Sequence, residues 1–195
     1  NGTIKAENGT VILAAGKEVT LSSMQDPSVQ YVVSAPENEA VNVGNLLSTS
    51  GRIEISAAKA KVGGRVSVAG PKAGKVLIAG TGGNGKVDVT GEINASSSAG
   101  TGGSVVIAGA SIGLGSKANI NADGTTGGGS VLVGGERQGA TLAVAGVDVA
   151  RAAELNIASG SSISADATDN GNGGRIIVWG DQANVHGSLS ATGGA

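Results

Sequence analysis

Apolar residues along this chain recur at every second position in short bursts, and glycine brackets most of the bursts. The phrase is a glycine, one polar or basic residue, then two branched aliphatic residues one position apart. It appears as Gly9-Thr10-Val11-Ile12-Leu13, Gly51-Arg52-Ile53-Glu54-Ile55, Gly64-Arg65-Val66-Ser67-Val68 and Gly74-Lys75-Val76-Leu77-Ile78. It returns as Gly85-Lys86-Val87-Asp88-Val89, Gly103-Ser104-Val105-Val106-Ile107, Gly129-Ser130-Val131-Leu132-Val133 and Gly174-Arg175-Ile176-Ile177-Val178. A spacing of two is strand periodicity, and no stretch carries the 3.6-residue period of a long helix. A second phrase, apolar-x-Ala, alternates with the first: Ile4-Lys5-Ala6, Ile93-Asn94-Ala95, Ile120-Asn121-Ala122, Ile163-Ser164-Ala165 and Leu189-Ser190-Ala191.

Strands of three to five residues separated by Gly/Ser/Asn corners suit a coil with several short sides better than a meander of hairpins. Several copies lie about 21 residues apart, or 42 to 45 where a copy is skipped. Copies at 64, 74 and 85 are too close for one face and must occupy different ones. The expected fold is all-β: a right-handed, three-sided parallel β-helix of roughly 20–22 residues per rung and about nine rungs. The whole chain, 1–195, reads as a single β-helix segment of a longer protein. The region near 23–40 departs from the pattern, with Pro27, Pro36, the single Met (Met24) and the single Tyr (Tyr31). An irregular rung is the preferred reading of it, and a projecting loop or hairpin the alternative.

Composition sharpens this picture. Glycine supplies 36 of 195 residues and proline 3; aromatics contribute 1% and phenylalanine is absent. A core of Val, Ile, Leu and Ala alone points to a narrow, layered interior. There is no cysteine, so packing and hydrogen bonds hold the chain together without disulfides. The net charge of −2 offers no overall basic footprint, which disfavours nucleic acid as a partner. No apolar run reaches transmembrane length.

Motifs that resemble catalytic or binding signatures sit in the wrong context. Gly80–Lys86 matches a dinucleotide or phosphate loop but runs into the strand pattern Lys86-Val87-Asp88-Val89 rather than a helix. Ser111 in Gly109-Ala110-Ser111-Ile112-Gly113 and Ser56-Ala57-Ala58-Lys59 imitate nucleophile motifs without a helix, and His186 is the only histidine. Asp166, Asp169, Asn170 and Asn172 form an oxygen-rich corner whose spacing lacks the closing Glu of a calcium loop, so an Asx turn is expected; Gly82–Asp88 likewise misses a calcium nonapeptide. No catalytic, cofactor or metal residue is assigned. Asn1-Gly2-Thr3, Asn8-Gly9-Thr10 and Asn94-Ala95-Ser96 are glycosylation sequons. Two aromatic residues, Tyr31 and Trp179, are candidates for recognition, although packing is the simpler role for Trp179. Finally, Ile12, Leu77, Val106, Leu132 and Ile177 alternate with the inward residues and so point outward; some of them are expected to pack beneath an extra-helical segment.

Three stretches resemble the filamentous-haemagglutinin-like exoproteins of two-partner secretion systems, including the high-molecular-weight adhesins. Gly9–Gly16 is similar to the family phrase GTVVLAAG, Gly128–Gly139 to GGxVLVGGxxQG, and Gly171–Gly194 to GxGGxVVVWxD followed by GxIxAxGG. The resemblance implies a Gram-negative protein exported through an outer-membrane transporter partner, secreted to the cell surface and working there as an adhesin on a host-cell glycan or protein receptor. It also allows a part in the secretion domain that the transporter recognises. The family's amino-terminal secretion motifs are not visible here. A β-helical carbohydrate-active enzyme is the third expectation, and the least favoured.

Overall fold

A computed structural model describes residues 2–15, 38–136 and 151–195 in full, together with the backbone of four strands between them. The described residues contain no helix, and three parallel sheets stack in chain order around a common interior. The chain is a three-sided parallel β-helix. Face A stacks β1 (Thr3–Glu7), β6 (Asn45–Thr49), β9 (Arg65–Ser67), β12 (Glu92–Asn94), β15 (Asn119–Asn121), β20 (Ser162–Ser164) and β23 (Ser188–Ser190). Face B stacks β2 (Thr10–Ala14), β7 (Arg52–Ala57), β10 (Lys75–Gly80), β13 (Ser104–Ala108), β16 (Ser130–Val133) and β21 (Arg175–Val178). Face C stacks β5 (Glu39–Asn42), β8 (Lys59–Val62), β11 (Lys86–Val89), β14 (Ser111–Leu114), β19 (Ala152–Ile157) and β22 (Gly180–Val185).

The two sequence phrases sort by face. Every apolar-x-Ala copy lies on face A. The glycine-led copies at 9, 51, 74, 103, 129 and 174 lie on face B, while those at 64 and 85 open strands on faces A and C. Rungs are longer than the sequence spacing suggests. Asn45 pairs Arg65, a step of 20 residues, but Arg65, Glu92 and Asn119 follow one another at 27. The A–B corner holds two residues in the first two rungs and seven or more afterwards, and the B–C corner of the third rung adds to the surplus with five residues, 81–85, where the second rung has Ala58 alone. Steps of 42 to 45 are single rungs enlarged by insertions, because Thr10 pairs Arg52 and Ser130 pairs Arg175 directly. Seven strands on face A, spaced by about 4.8 Å, make a rod on the order of 30 Å long.

Both insertions leave at the corner between faces B and C. In the first, β3 (Glu18–Leu21) pairs antiparallel with β4 (Tyr31–Ser34) as a separate two-stranded sheet. The remainder of the irregular region, 22–30 and 35–37, lies outside the described residues. The second insertion, which the repeat pattern does not announce, pairs β17 (Leu142–Val144) with β18 (Val147–Val149).

In-register parallel pairing places like residues above one another. On face A the inward column runs Leu46, Val66, Ile93, Ile120, Ile163; on face B, Ile53, Val76, Val105, Val131; on face C, Val62, Val89, Leu114, Ile157. All of these are buried. Each contributes about 1.5–3 kcal/mol of apolar burial, which is how short strands hold a thin rod without disulfides. Glycine is obligatory where successive corners press together: a Cβ on Gly102 would stand 1.9 Å from the Ala122 carbonyl oxygen, and one on Gly128 1.9 Å from that of Ala165. Among the described residues, no helix is long and apolar enough to cross a membrane.

Candidate recognition surfaces

The five outward apolar residues fall into one file. On face B, Ile12 stands beside Glu54, Glu54 beside Leu77, and then Val106, Leu132 and Ile177 follow rung by rung. Leu77 and Leu132 are only 7% and 4% exposed, and the other three are half-buried, each flanked by its neighbours in the file. Glu54 interrupts it with a carboxylate that is 2% exposed and held by Arg52, Nη2 to Oε2 at 2.8 Å. A charge this deep persists only when paired.

The corner between faces A and B is an ordered ladder of loops. At the ends of β12 and β15 a side-chain oxygen caps the backbone two residues on. Asn94 Oδ1 accepts from the Ser96 N–H at 3.0 Å, and Asn121 Oδ1 from that of Asp123 at 2.9 Å, which are Asx turns. In the next rung Ser164 replaces Asn, and the rung below supplies the acceptor: Asp123 Oδ1 takes the Asp166 N–H at 2.7 Å. Asp166 repeats the move, accepting from the Thr192 N–H at 2.6 Å and from Ser190 Oγ at 2.7 Å. Burial by itself would raise the Asp166 pKa, but the hydrogen bonds from Thr192 and Ser190 outweigh it and hold the carboxyl below the usual aspartate range. This carboxylate, first in the oxygen-rich corner, is thus spent on tying the last rung to the one before. Among the described residues no group of three or more His, Cys, Asp or Glu side chains converges on a metal-sized space.

The catalytic look-alikes land on ordinary coil. Gly80–Lys86 is the short corner from β10 to β11, Ser111 opens β14, and Ser56 to Lys59 spans the end of β7 and the start of β8. His186 is exposed beside β22. Of the aromatic candidates, Trp179 turns the corner from β21 to β22. It is 36% exposed, and its Cδ1 lies 3.5 Å from where a Gly135 Cβ would be. Beside it Arg151 Nε meets Asp181 Oδ1 at 2.9 Å. Tyr31 lies in β4, and its side chain is outside the described residues. Tyr31 lies in the insertion that follows β2, and Trp179 follows β21.

Summing charge over the whole chain hides a local feature. Seven of the 13 basic residues, Arg52, Lys59, Lys61, Arg65, Lys72, Lys75 and Lys86, fall within rungs two and three, with Glu54 as the only acid between Arg52 and Lys86. The remaining chain carries six basic residues against fourteen acids. They form a basic belt. A windowed charge count would have shown it; a total cannot. Four members are answered: Arg52 by Glu54, Lys61 by Glu39, Arg65 by Glu92 at 3.5 Å and Lys86 by Asp88 at 3.6 Å. The hydrogen bond from Lys61 lowers the Glu39 pKa, and the same bond raises that of Lys61.

Next to the belt a shallow trough of about 420 Å³ runs along the rod across three rungs. Its lining is Ala73, Gly74 and Lys75, then Thr101 to Ser104, then Gly128 to Ser130. With the geometry in hand, comparison with protein-family models and with curated proteins returns no match to the chain.

Proposed function

We propose that this chain is a segment of a secreted bacterial surface adhesin of the filamentous-haemagglutinin-like, two-partner secretion type. It forms a rod whose outer surface attaches to host-cell glycan or protein. The observation that carries this reading is the unbroken, in-register stacking of three parallel faces over six rungs or more. Such a coil lengthens by adding rungs, each contacting only its neighbours, and offers a long solvent-facing surface rather than a closed cavity. The motif resemblance in Gly9–Gly16, Gly128–Gly139 and Gly171–Gly194 supports it.

A second reading, part of the domain recognised by the outer-membrane transporter, is favoured by one observation. Two antiparallel strand pairs leave the coil at the same corner, and a bare shaft has no need of them. Adhesion of cells to the immobilised 195-residue chain, measured beside export of the same chain with and without a transporter, separates the two. Adhesion without transporter-dependent export supports the first. Export without adhesion supports the second. Catalytic turnover of a polysaccharide would replace both.

A further inference from the structure

We propose that Asn172 is a site of spontaneous deamidation, where the chain itself turns its oxygen-rich corner more acidic. The reaction needs no partner, so it stands apart from the adhesin reading. Five Asn–Gly dipeptides occur, beginning at Asn1, Asn8, Asn84, Asn170 and Asn172. Glycine has no Cβ to shield its nitrogen, so each can close a ring on the side chain before it. The Gly N attacks the Asn Cγ, and the amide nitrogen leaves with the Gly proton as ammonia. Water then opens the resulting succinimide at one carbonyl or the other, giving aspartate or isoaspartate. The chain and water supply every atom.

Asn1 lies outside the described residues. The other four asparagines are all exposed, so burial does not rank them. Hydrogen bonding does. At Asn84 the attacking nitrogen is itself engaged, because the Gly85 N–H donates to the Gly82 carbonyl at 3.1 Å. Asn8 is held on both sides: its N–H donates to the Thr49 carbonyl at 3.0 Å, and the Gly9 carbonyl accepts from the Arg52 N–H at 3.1 Å and from Ser48 Oγ at 2.6 Å. Asn170 donates its N–H to the Thr125 carbonyl at 3.0 Å, and the Gly171 carbonyl accepts from the Gly194 N–H at 3.0 Å. Asn172-Gly173 has a single tie, from the Gly128 N–H to the Asn172 carbonyl at 3.0 Å. Among the described residues neither its Asn N–H nor its Gly N–H donates a hydrogen bond. It also lies in the longest of the A–B corners, 165–174. A segment with few ties opens most readily.

Either product adds a carboxylate to the corner that already holds Asp166 and Asp169. Isoaspartate also lengthens the backbone by one atom, and the packing has no slack for it. The Ala191 backbone lies against Gly173 and the Gly129 backbone against Gly174, leaving no room for a Cβ at either. The longer backbone should displace the Gly128 bond and loosen the last rung, which is tied to this corner by the Gly194 N–H to Gly171 bond.

The test incubates the purified 195-residue chain in warm, mildly alkaline buffer and places each amide-to-acid mass change by peptide fragmentation. The same chain in denaturant is the reference, because there every Asn–Gly dipeptide is released from its hydrogen bonds. In the folded chain Asn172 should convert fastest, with Asn8 and Asn84 roughly tenfold or more slower. In denaturant that spread should collapse. Asn172→Gln, whose ring would need a sixth member, should abolish the fast conversion and leave the slow ones. The isoaspartate fraction of the aged chain should show faster amide exchange at 191–194. Conversion of Asn8 or Asn84 in the folded chain as fast as Asn172 overturns the proposal. So does a folded chain in which Asn172 stays intact while the denatured chain reacts, or aged protein whose last rung exchanges no faster than fresh.

Discussion

Ile120 and Leu189 occupy the same column of face A, one in the middle of the coil and the other in its last strand. Ile120 is sealed, whereas Leu189 is 45% exposed, and Ile4 at the opposite end is 51% exposed. The side chains are near equals, so the difference comes from position. Burial in this rod is supplied by the rungs above and below, and a terminal rung receives half of it. Indeed the exposed large apolar residues among those described, Ile4, Val41, Val43, Trp179, Val185 and Leu189, all belong to the first rung or the last two. In the 195-residue chain taken by itself, stability should therefore fall from the middle outward, as in other quasi-one-dimensional folds.

The largest break in this gradient is expected from Gly128→Val. Its branched side chain collides with the Ala165 carbonyl in the middle of the stack, and cooperative thermal unfolding should be lost. Gly82→Val makes the contrast, because nothing lies within 4 Å of a Cβ there; only its positive φ of 82° opposes the change. It should cost about 1–2 kcal/mol. Next comes the column itself. Ile120→Ala should lower unfolding free energy by about 2–5 kcal/mol, and Leu189→Ala by less than about 1 kcal/mol, both read by denaturant titration. Equal losses at the two sites would remove the axial account of burial.

A smaller effect belongs to the last rung. Asp166→Ala removes the acceptor for Thr192 N–H and Ser190 Oγ and should cost about 1–2 kcal/mol, seen as faster amide exchange at residues 188–192. Because the folded pKa of Asp166 lies below its ordinary value, its contribution is present above the ordinary carboxylate pKa of about 3.9. It is lost as pH falls through the lowered folded value. The wild-type rung should loosen on that acidification, and the variant should show no such step. Smallest of all is Glu39→Gln. It breaks the exposed pair with Lys61 and should leave the melting temperature unchanged.

Much of this architecture is legible in sequence, because a stacked coil writes its periodicity into the chain. The spacing of two and the bracketing glycines assign strands, and the crowding of copies at 64, 74 and 85 separates three faces, which the structure places on A, B and C in turn. The five outward apolar residues fall in one file on face B for the same reason. Rung length is less legible. Two corners swollen by insertions mimic skipped repeats, and the growth of the A–B corner happens in Gly/Ser-rich loops that carry no alternation. The acceptor role of Asp166 is invisible as well, since its partner, Thr192, lies a full rung away. The basic belt was present as a string of residues, but a net charge of −2 concealed it.

The central claim, parallel in-register stacking of neighbouring rungs, is most directly tested by disulfide trapping in a chain that has no native cysteine. Ser104→Cys with Ser130→Cys places two thiols on adjacent face B strands in direct register, within the Cα separation of about 4.4–6.8 Å that a disulfide accepts. Mild oxidation should close this pair rapidly, while Ser104→Cys with Ser162→Cys, on different faces, should stay reduced. Closure of the second pair in preference to the first would contradict the coil.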